Sequence, residues 1–231
     1  MGVGVVIPAA GIGKRMGTKV SKQFLDIAGE PVLIRTLRVF DEHPAVMEIV
    51  LAVKEEEREA VIALLHRYEF DPKRIRLVQG GAERQSSVYH GLCEIQAEWV
   101  LVHDAVRPFV TSAQVDQLLA VAKETGAAIL AVPVKDTVKQ VSEAGVVETT
   151  LDRNQLWAVQ TPQAFSRELL MEAYEQGAES ALEATDDAKL VEAMGVSVQV
   201  VRGDYTNLKL TTPEDLVLAE AIWNMRCLAD D

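Results

Sequence analysis

The sequence has few cysteines and no excess of positive charge, and each absence excludes a class of protein. Its 231 residues include only two cysteines, Cys93 and Cys227, whose separation fits neither a CxxC motif nor the spacing of a metal site. We therefore expect reduced thiols and no metal held by cysteine. The net charge of −12 argues against broad electrostatic binding to nucleic acid or to an anionic membrane.

The sequence also lacks a long apolar run and the signatures of nucleophilic or zinc-dependent hydrolysis. Its first 13 residues carry no charged side chain, but they are too few to span a bilayer and no basic region precedes them. No Ser–His–Asp, Cys–His or HExxH pattern occurs at a usable spacing. We expect a cytoplasmic protein that folds as one domain over residues 1–231.

Short runs rich in Val, Ile and Leu alternate with amphipathic segments along most of the chain. The runs typical of strands are Val3–Pro8, Glu48–Val53, Ile75–Val78, Trp99–Val102 and Ala127–Val132. The segments typical of helices are Pro31–Glu42, Glu55–Tyr68, Glu83–Ile95 and Ser112–Thr125. This alternation predicts an α/β fold with a mostly parallel sheet and helices on both of its faces.

The alternation stops between Pro133 and Pro162, where the sequence predicts a β-hairpin. Polar and apolar residues alternate in Lys135–Val141 and Val146–Leu151, with a glycine turn between them. A lone hairpin of this size buries too little apolar area to be stable. We expect it to form a protruding β-arm, at about residues 134–160, that packs against a second subunit. A hairpin folded back on its own domain is the alternative.

Regular elements resume after the arm. Predicted helices lie near Arg167–Glu175, Asp186–Met194 and Pro213–Met225, and a predicted strand lies at Ser197–Val201. The pair Asp186-Asp187 is interpreted as negative charge that is favourable at the start of a helix, and not as part of a binding site.

A small-residue loop after the first strand is the most informative segment. It reads Pro8-Ala9-Ala10-Gly11-Ile12-Gly13-Lys14-Arg15-Met16-Gly17 and is followed by Ser21-Lys22-Gln23-Phe24. Such a loop lets backbone N–H groups approach an anion, and Lys14, Arg15 and Lys22 add positive charge. The pattern is neither a Walker A loop nor a dinucleotide fingerprint, because Pro8, Arg15 and Met16 occupy positions that those motifs reserve for other residues. It predicts a site for the polyphosphate of a nucleotide.

A predicted apolar strand runs directly into the charged residues Asp104 and Arg107. Asp104 can face a cation or a hydroxyl group, and Arg107 can face a phosphate. The carboxyl ends of parallel strands meet at one edge of a sheet, so we expect this turn beside the Gly11 loop. His103, the first polar residue after the strand, is interpreted as a hydrogen-bonded structural residue.

A second glycine turn, Gly80-Gly81, precedes a predicted helix that carries Ser87. Its backbone groups and the Ser87 hydroxyl can meet the edge of a nucleotide base, although helix capping would explain the same pattern. Nucleotidyl transfer needs positioning and positive charge rather than a protein nucleophile. The Lys, Arg and Asp residues at the loop positions of this chain are suited to that chemistry.

Taken together, these segments resemble the 2-C-methyl-D-erythritol 4-phosphate cytidylyltransferase family of the non-mevalonate isoprenoid pathway. The matching pieces are PAAGIGKRMG with SKQF, GGAERQSSV, VLVHDAVRPF, PVKDTVK, LDRNQLWAVQTPQAF, TDDA and NLKLTTPEDL. The resemblance implies a Rossmann-like three-layer sandwich of the nucleotide-diphospho-sugar transferase type and a homodimer formed through the β-arm. It also implies an enzyme that condenses CTP with methylerythritol phosphate, releases pyrophosphate and uses magnesium.

The resemblance further assigns roles to individual residues. Arg15 and Lys22 would stabilise the charge that builds up at the α-phosphate of CTP. CTP would be bound by Pro8, Ala9, Ala10, Gly11, Gly13, Gly81, Ser87, Asp104 and Ala105. Methylerythritol phosphate would be bound by Arg107, Thr137, Arg153, Thr161 and Lys209; Arg153 and Lys209 would also be catalytic, and the arm of the partner would supply Thr137 and Arg153.

The resemblance also bears on the magnesium ligands and on the contact of residue 82 with cytosine. No protein ligand of the magnesium ion is assigned, because the phosphates of CTP would hold most of it. Ala82 stands where other members carry Asp, which removes a side-chain contact from this position to cytosine and leaves only contacts through the main chain.

Three other functions are compatible with parts of the sequence. A cytidylyltransferase for another polyol phosphate, such as ribitol 5-phosphate, shares the HDAVRPF and QTPQ segments, but the PAAG loop and the LDRN arm end favour methylerythritol phosphate. An NAD-dependent oxidoreductase would need the complete dinucleotide fingerprint. A non-catalytic nucleotide-binding module would bind CTP without releasing pyrophosphate, and the retained cations argue against it.

Overall fold

A seven-stranded sheet forms the centre of the protein. The computed structural model describes residues 2–11 and 21–229. The strands are β1 (Val3–Pro8), β2 (Asp26–Ile27), β3 (Glu30–Pro31), β4 (Val46–Val53), β5 (Ile75–Gln79), β6 (Trp99–Val102), β7 (Ala127–Pro133), β8 (Lys139–Val141), β9 (Val147–Thr150), β10 (Trp157–Ser166) and β11 (Gln199–Arg202). The helices are α1 (Val32–Asp41), α2 (Arg58–Arg67), α3 (Arg84–Glu94), α4 (Ser112–Thr125), α5 (Arg167–Glu179), α6 (Asp187–Ala193) and α7 (Pro213–Ala229).

The strand order determines where polar segments meet. The main sheet has the order β11-β7-β10-β6-β1-β4-β5, and all neighbours are parallel except the two pairs made by β10. In the interior strand β1, Val5 lies opposite Ile49 on one side and Leu101 on the other. The carboxyl ends of β1 and β6 therefore share one edge of the sheet, and this edge is where ligands bind in open α/β sheets.

Apolar layers cover both faces of the sheet. Successive side chains of a strand point to opposite faces, so Val5 and Ile7 of β1 pack in one layer and Val6 packs in the other. Helices α1, α2 and α4 supply the first layer, and α3, α5 and α6 supply the second. A third cluster around Val32 and Leu210 holds helix α7. The predicted α/β fold, a three-layer sandwich with a mostly parallel sheet, is confirmed.

Most predicted elements are present, with ends that differ by a few residues. Helix α1 begins at Val32 rather than at Pro31, because Pro31 pairs with Asp26 in a short hairpin. The predicted helix from Glu55 begins with a 3₁₀ turn, Glu55–Glu57, before α2 starts. Among the helices of the described part, none combines the length and the apolar character that a membrane crossing requires.

Strand β10 is a large element that the sequence pattern does not predict. It lies in the middle of the sheet, antiparallel to both β6 and β7. Proline inside a run argues against a central strand, because it cannot donate to the ladder. Here Pro162 falls in a break of the register between Val159 and Gln163, so the ladder with β7 is interrupted where the N–H is missing.

The predicted hairpin forms a separate two-stranded sheet. All residues of β8 and β9 are exposed, and the described strands of the main sheet do not pair with them. Exposed apolar side chains on this arm are Val141, Val146, Val147 and Leu151. At the base of the arm, the Lys135 ammonium lies 3.5 Å from the ring centre of Tyr205, whose hydroxyl donates to the carbonyl of Pro133 at 2.7 Å. The arm is thus fastened at its base and exposed along its length.

Candidate active site

A cleft lies at the edge of the sheet where the segments after β1 and β6 meet the turn before α3. Its lining consists of Pro8, Ala9, Ala10, Gly11, Lys22, Gln23, Gly81, Ala82, Glu83, Arg84, Ser87, Asp104, Ala105, Val106 and Lys209. The predicted site residues in this lining are Pro8, Ala9, Ala10, Gly11, Lys22, Gly81, Ser87, Asp104, Ala105 and Lys209. The predicted Gly13 and Arg15 lie outside the described residues. The fold therefore gathers residues from five separate parts of the chain into one cleft.

The first wall of the cleft is the loop after β1 with the segment that contains Lys22. The N–H of Ala9 donates to the carbonyl of Ala52 at 2.7 Å, which extends the pairing of β1 with β4 beyond Pro8. The buried side chain of Gln23 donates to the carbonyl of Ala9 at 2.8 Å. This bond attaches the turn that carries Lys22 to the loop. Sequence reasoning assigned no role to Gln23.

The second wall is the glycine turn before α3. The N–H of Gly81 donates to the Ser87 hydroxyl at 3.0 Å, and this hydroxyl donates to the carbonyl of Glu83 at 3.0 Å. Ser87 therefore stabilises the turn through hydrogen bonds to its backbone. The contact with a nucleotide base that the sequence predicts would be a second role of this hydroxyl. Ala82 presents only a methyl group to the cleft, so a polar contact from this position can come only from its backbone.

Asp104 lies at the bottom of the cleft among three cations. Its Oδ1 accepts from Arg84 Nε at 3.3 Å, and its Oδ2 lies 3.3 Å from Arg107 Nε and 2.9 Å from Lys209 Nζ. Burial by itself would raise the pKa of Asp104, but Arg84, Lys209 and Arg107 outweigh burial and hold this pKa well below the usual range of a carboxyl group. Asp104 is therefore ionised and holds three positive groups at one place.

Arg84 connects Asp104 to a second buried acid behind the cleft. Its Nη2 donates to Asp187 Oδ2 at 2.8 Å, and the Tyr174 hydroxyl donates to Asp187 Oδ1 at 2.5 Å. Burial opposes the charge on Arg84, but Asp187 and Asp104 together raise the pKa of Arg84 above its ordinary value. Burial, followed by the charge of Asp187, raises the pKa of Tyr174, so this hydroxyl remains a donor.

The contact between Arg84 and Asp187 was not apparent in the sequence. The interpretation of Asp186-Asp187 as charge at a helix start holds for Asp186, whose side chain accepts from the N–H of Lys189. It is incomplete for Asp187, which is buried against Arg84. Arg84 itself belongs to the GGAERQSSV segment, and the position of this arginine in the first turn of a helix, beside a glycine turn, was its only sequence signal.

A chain of hydrogen bonds ties the segment before Lys209 to the Asp104 turn. Arg107 Nη1 donates to the carbonyl of Asn207 at 2.8 Å, and Asn207 Nδ2 donates to the carbonyl of Thr161 at 2.9 Å. The Thr161 hydroxyl accepts from the N–H of Asp104 at 3.0 Å. Burial lowers the pKa of Arg107, and the charge of Asp104 opposes that shift. The predicted residues Arg107 and Thr161 thus contact Asp104 without belonging to the described lining of the cleft, and their contacts with a substrate phosphate stay predictions.

The predicted residues Thr137 and Arg153 lie on the exposed arm. Arg153 Nη1 donates to the carbonyl of Lys135 at 3.1 Å, and both predicted side chains are exposed. Neither belongs to the lining of the cleft of the same chain as far as the structure describes it. Their predicted role at the cleft of a partner subunit stays a prediction.

His103 is a structural residue, in agreement with its interpretation from the sequence. Its ring is fully buried and packs edge-on against Phe40, with ring centres 4.9 Å apart. Nε2 lies 3.0 Å from the carbonyl oxygen of Arg107, which can only accept, so Nε2 carries the proton. Burial lowers the pKa of His103 from 6.5 to about 4, so the ring is neutral at neutral pH.

The described lining of the cleft contains one buried carboxylate, that of Asp104. In the described ranges, no group of three or more His, Cys, Asp or Glu side chains is arranged to hold a metal ion. Asp104, the buried carboxylate of the cleft, already has three cations as partners.

The chain is similar to known proteins over nearly its whole length. A family model described as IspD, 2-C-methyl-D-erythritol 4-phosphate cytidylyltransferase, matches residues 3–225. The 2-C-methyl-D-erythritol 4-phosphate cytidylyltransferase of Bacillus velezensis is 53% identical over 220 residues, which cover 94% of each chain. The protein of the same name from Bacillus cytotoxicus is 50% identical over 223 residues, which cover 96% of this chain and 98% of that relative.

Several solved structures are also similar to this chain in fold and sequence. The 4-diphosphocytidyl-2C-methyl-D-erythritol synthase of Anaerococcus prevotii superposes with a TM-score of 0.85 at 32% identity and covers 96% of both chains. The 2-C-methyl-D-erythritol 4-phosphate cytidylyltransferase of Thermus thermophilus gives a TM-score of 0.79 at 37% identity, over 96% of this chain and 98% of that one. The similarity therefore extends to sequence and architecture together.

Proposed function

The chain belongs to the 2-C-methyl-D-erythritol 4-phosphate cytidylyltransferase family, and we propose that the cleft around Asp104 is its active site. It is a nucleotidyltransferase that transfers a cytidylyl group from CTP to 2-C-methyl-D-erythritol 4-phosphate. The products are 4-diphosphocytidyl-2-C-methyl-D-erythritol and pyrophosphate, in the biosynthesis of isoprenoid precursors. The observation that supports this site best is the convergence of Lys22, Asp104 and Lys209 on one cleft.

The reaction is a displacement at phosphorus. An oxygen of the methylerythritol phosphate attacks the α-phosphorus of CTP, the bond from this phosphorus to the bridging oxygen breaks, and pyrophosphate leaves with the electron pair. Such a step needs alignment of the two phosphates and compensation of negative charge, and it needs no covalent intermediate with the protein. We propose that Lys22 supplies positive charge at the α-phosphate. Arg15, outside the described residues, stays a prediction from the sequence.

The cluster formed by Asp104 with Arg84, Arg107 and Lys209 is suited to hold the phosphate of the acceptor. Arg84, Arg107 and Lys209 carry three positive charges, and Asp104 and Asp187 carry two negative ones, so one positive charge remains in excess. The Lys209 side chain is 38% exposed, whereas that of Arg107 is 11% exposed. We therefore propose that Lys209 binds the methylerythritol phosphate directly and that Asp104 keeps the ammonium group in place.

We assign CTP to the remaining walls of the cleft. We propose that the backbone of Ala9, Ala10 and Gly11 faces the nucleotide and that the turn at Gly81 faces cytosine. The divalent cation, which we take to be magnesium, enters as the CTP complex and is held mainly by phosphate oxygens. We also propose a cytoplasmic location, where the substrate CTP is available.

We further propose a homodimer in which each arm completes the site of the other subunit. This proposal is supported by the exposure of Thr137 and Arg153 and by the apolar side chains along the arm. Mixing subunits tests it. In a dimer of one Lys22→Met and one Arg153→Met subunit, an arm acting in trans leaves one site intact, so a random mixture should recover about one site in four. No recovery would show that Arg153 acts within its own subunit.

The activity is tested by pyrophosphate release from CTP with each candidate acceptor, with and without Mg²⁺. We expect release with methylerythritol phosphate and Mg²⁺, little release with ribitol 5-phosphate, and none when the cation is removed. Lys22→Met should lower turnover by roughly 10²–10³, the usual effect of removing one group that stabilises transition-state charge. Wild-type turnover by Lys22→Met would remove Lys22 from this role, and CTP binding without release would indicate a non-catalytic module.

A further inference from the structure

Both residues that flank Lys22 are hydrogen-bonded to one carboxylate, that of Glu57. The Ser21 hydroxyl donates to Glu57 Oε1, and Gln23 Nε2 donates to Glu57 Oε2 at 2.9 Å. These bonds join residues that lie 36 and 34 positions apart in the sequence. We propose that Glu57 is a positioning residue for Lys22; this inference rests on the role of Lys22 proposed above.

The side chain of Glu57 is itself restrained by its surroundings. It ends the 3₁₀ turn Glu55–Glu57 that follows β4, and its side chain is only 16% exposed. Lys54 Nζ lies 3.6 Å from Glu57 Oε1, so the carboxylate also has a cationic partner on its own turn. A side chain with three partners and little exposure has few alternative rotamers, which makes it a fixed point for the Ser21 segment.

The bonds constrain the backbone of Lys22 from both sides. Lys22 begins a short 3₁₀ turn, in which the N–H of Phe24 donates to the carbonyl of Ser21 at 2.9 Å. Gln23 Nε2 is shared between Glu57 and the carbonyl of Ala9, so the same amide attaches this turn to the loop after β1. The position of Lys22 relative to the cleft wall is thus set through its neighbours.

This arrangement matters because lysine is long and flexible. Four methylene groups separate the ammonium from the backbone, and the group stabilises the transition state only when it contacts the oxygens of the phosphate being attacked. A displacement of about 1 Å at a reacting centre can cost roughly 10²-fold in rate. A carboxylate that fixes the backbone on both sides therefore affects turnover without touching a substrate.

The test compares Glu57 with its neighbours in the same turn. Glu57→Ala removes the attachment, whereas Glu57→Gln can accept from Gln23 through its oxygen and donate to Ser21 through its nitrogen. Glu55→Ala and Glu56→Ala remove exposed carboxylates of that turn and serve as matched controls. We expect Glu57→Ala to lower kcat by about 10- to 100-fold, with the KM of both substrates changed by less than about 3-fold. Glu57→Gln should retain most of the turnover, and both controls should retain all of it.

A double-mutant cycle separates positioning from a general effect on folding. In the Lys22→Met background, Glu57→Ala should cause no further loss of kcat, because the group that it positions is already absent. Equal losses in both backgrounds, or a Glu57→Ala variant as active as Glu55→Ala, would overturn the inference and leave the proposed reaction standing. Wild-type turnover by Lys22→Met would overturn the role of Lys22 and this inference with it. All rates are measured well below the thermal midpoint of each variant.

Discussion

Ala10 and Gly80 lie so close together that a side chain at position 80 would collide with the cleft loop. A Cβ atom placed on Gly80 would stand 2.3 Å from the Cβ of Ala10, far inside van der Waals contact. The next nearest atoms, Ser87 Oγ at 3.3 Å and the Val53 carbonyl oxygen at 3.4 Å, are much less crowded. The size of residue 80 therefore controls how closely the two walls of the cleft approach each other.

We predict that Gly80→Ala displaces the loop at Ala10. Overpacking of this kind costs about 1–3 kcal/mol, and we expect the KM for CTP to rise by about tenfold or more. The double variant Ala10→Gly/Gly80→Ala moves the methyl group from one wall to the other and should recover most of the lost CTP affinity. Steady-state kinetics with CTP varied measures both effects. A single variant with an unchanged KM would contradict this account of the cleft walls.

Asp187 is predicted to stabilise the protein through Arg84. Asp187→Asn leaves the guanidinium with Asp104 as its acidic partner among the described residues, and breaking a buried ion pair costs about 3 kcal/mol or more in unfolding free energy. Urea unfolding measures this loss. Glu192→Gln, which removes an exposed carboxylate from the same helix, should leave the midpoint unchanged. Equal midpoints for these two variants would mean that the Arg84–Asp187 contact does not contribute to the free energy of unfolding.

His103 should make stability depend on pH between 6.5 and about 4. Its pKa is lower in the folded state than in the unfolded chain, so the unfolded state binds more protons in this window. The stabilising contribution of the neutral His103 ring to the free energy of unfolding is therefore fully present above pH 6.5. It decreases by about 2–3 kcal/mol as the pH falls toward 4. His103→Gln keeps a donor for the Arg107 carbonyl but does not titrate, so its unfolding free energy should fall less steeply. His66→Gln, at an exposed position, should behave like the wild type.

Lys209 and Arg153 should affect use of the acceptor more than use of CTP. Removing a charge-assisted hydrogen bond costs about 1.5–3 kcal/mol, so Lys209→Met and Arg153→Met should each raise the KM for methylerythritol phosphate by about 10- to 100-fold. Lys139→Met removes a different cation from the same arm as Arg153 and is the control, expected to leave this KM unchanged. Comparable increases in the KM for CTP would argue against the proposed division of the cleft.

Much of the architecture follows from local patterns in the chain. Alternation of β-branched runs with amphipathic segments predicts a parallel sheet between two helical layers, and strand ends predict that the Gly11 loop and Asp104 lie side by side. These patterns do not predict strand β10, because its centre carries Gln160, Thr161 and Pro162, which are typical of loops. The register break at Pro162 and the flanking strands β6 and β7 make the strand possible, and neither is visible in a local window.

The sequence by itself determined the class of fold, the cleft walls that follow strand ends, and the family that its motifs resemble. Those properties depend on periodicity and on short motifs, which involve residues close together in the chain. Only the tertiary structure decided that Arg84 joins Asp104 to Asp187, which lies 103 positions from Arg84, and that Glu57 bonds to both neighbours of Lys22. Such contacts form between side chains that folding brings together from distant segments, and their charges leave no periodic pattern along the chain.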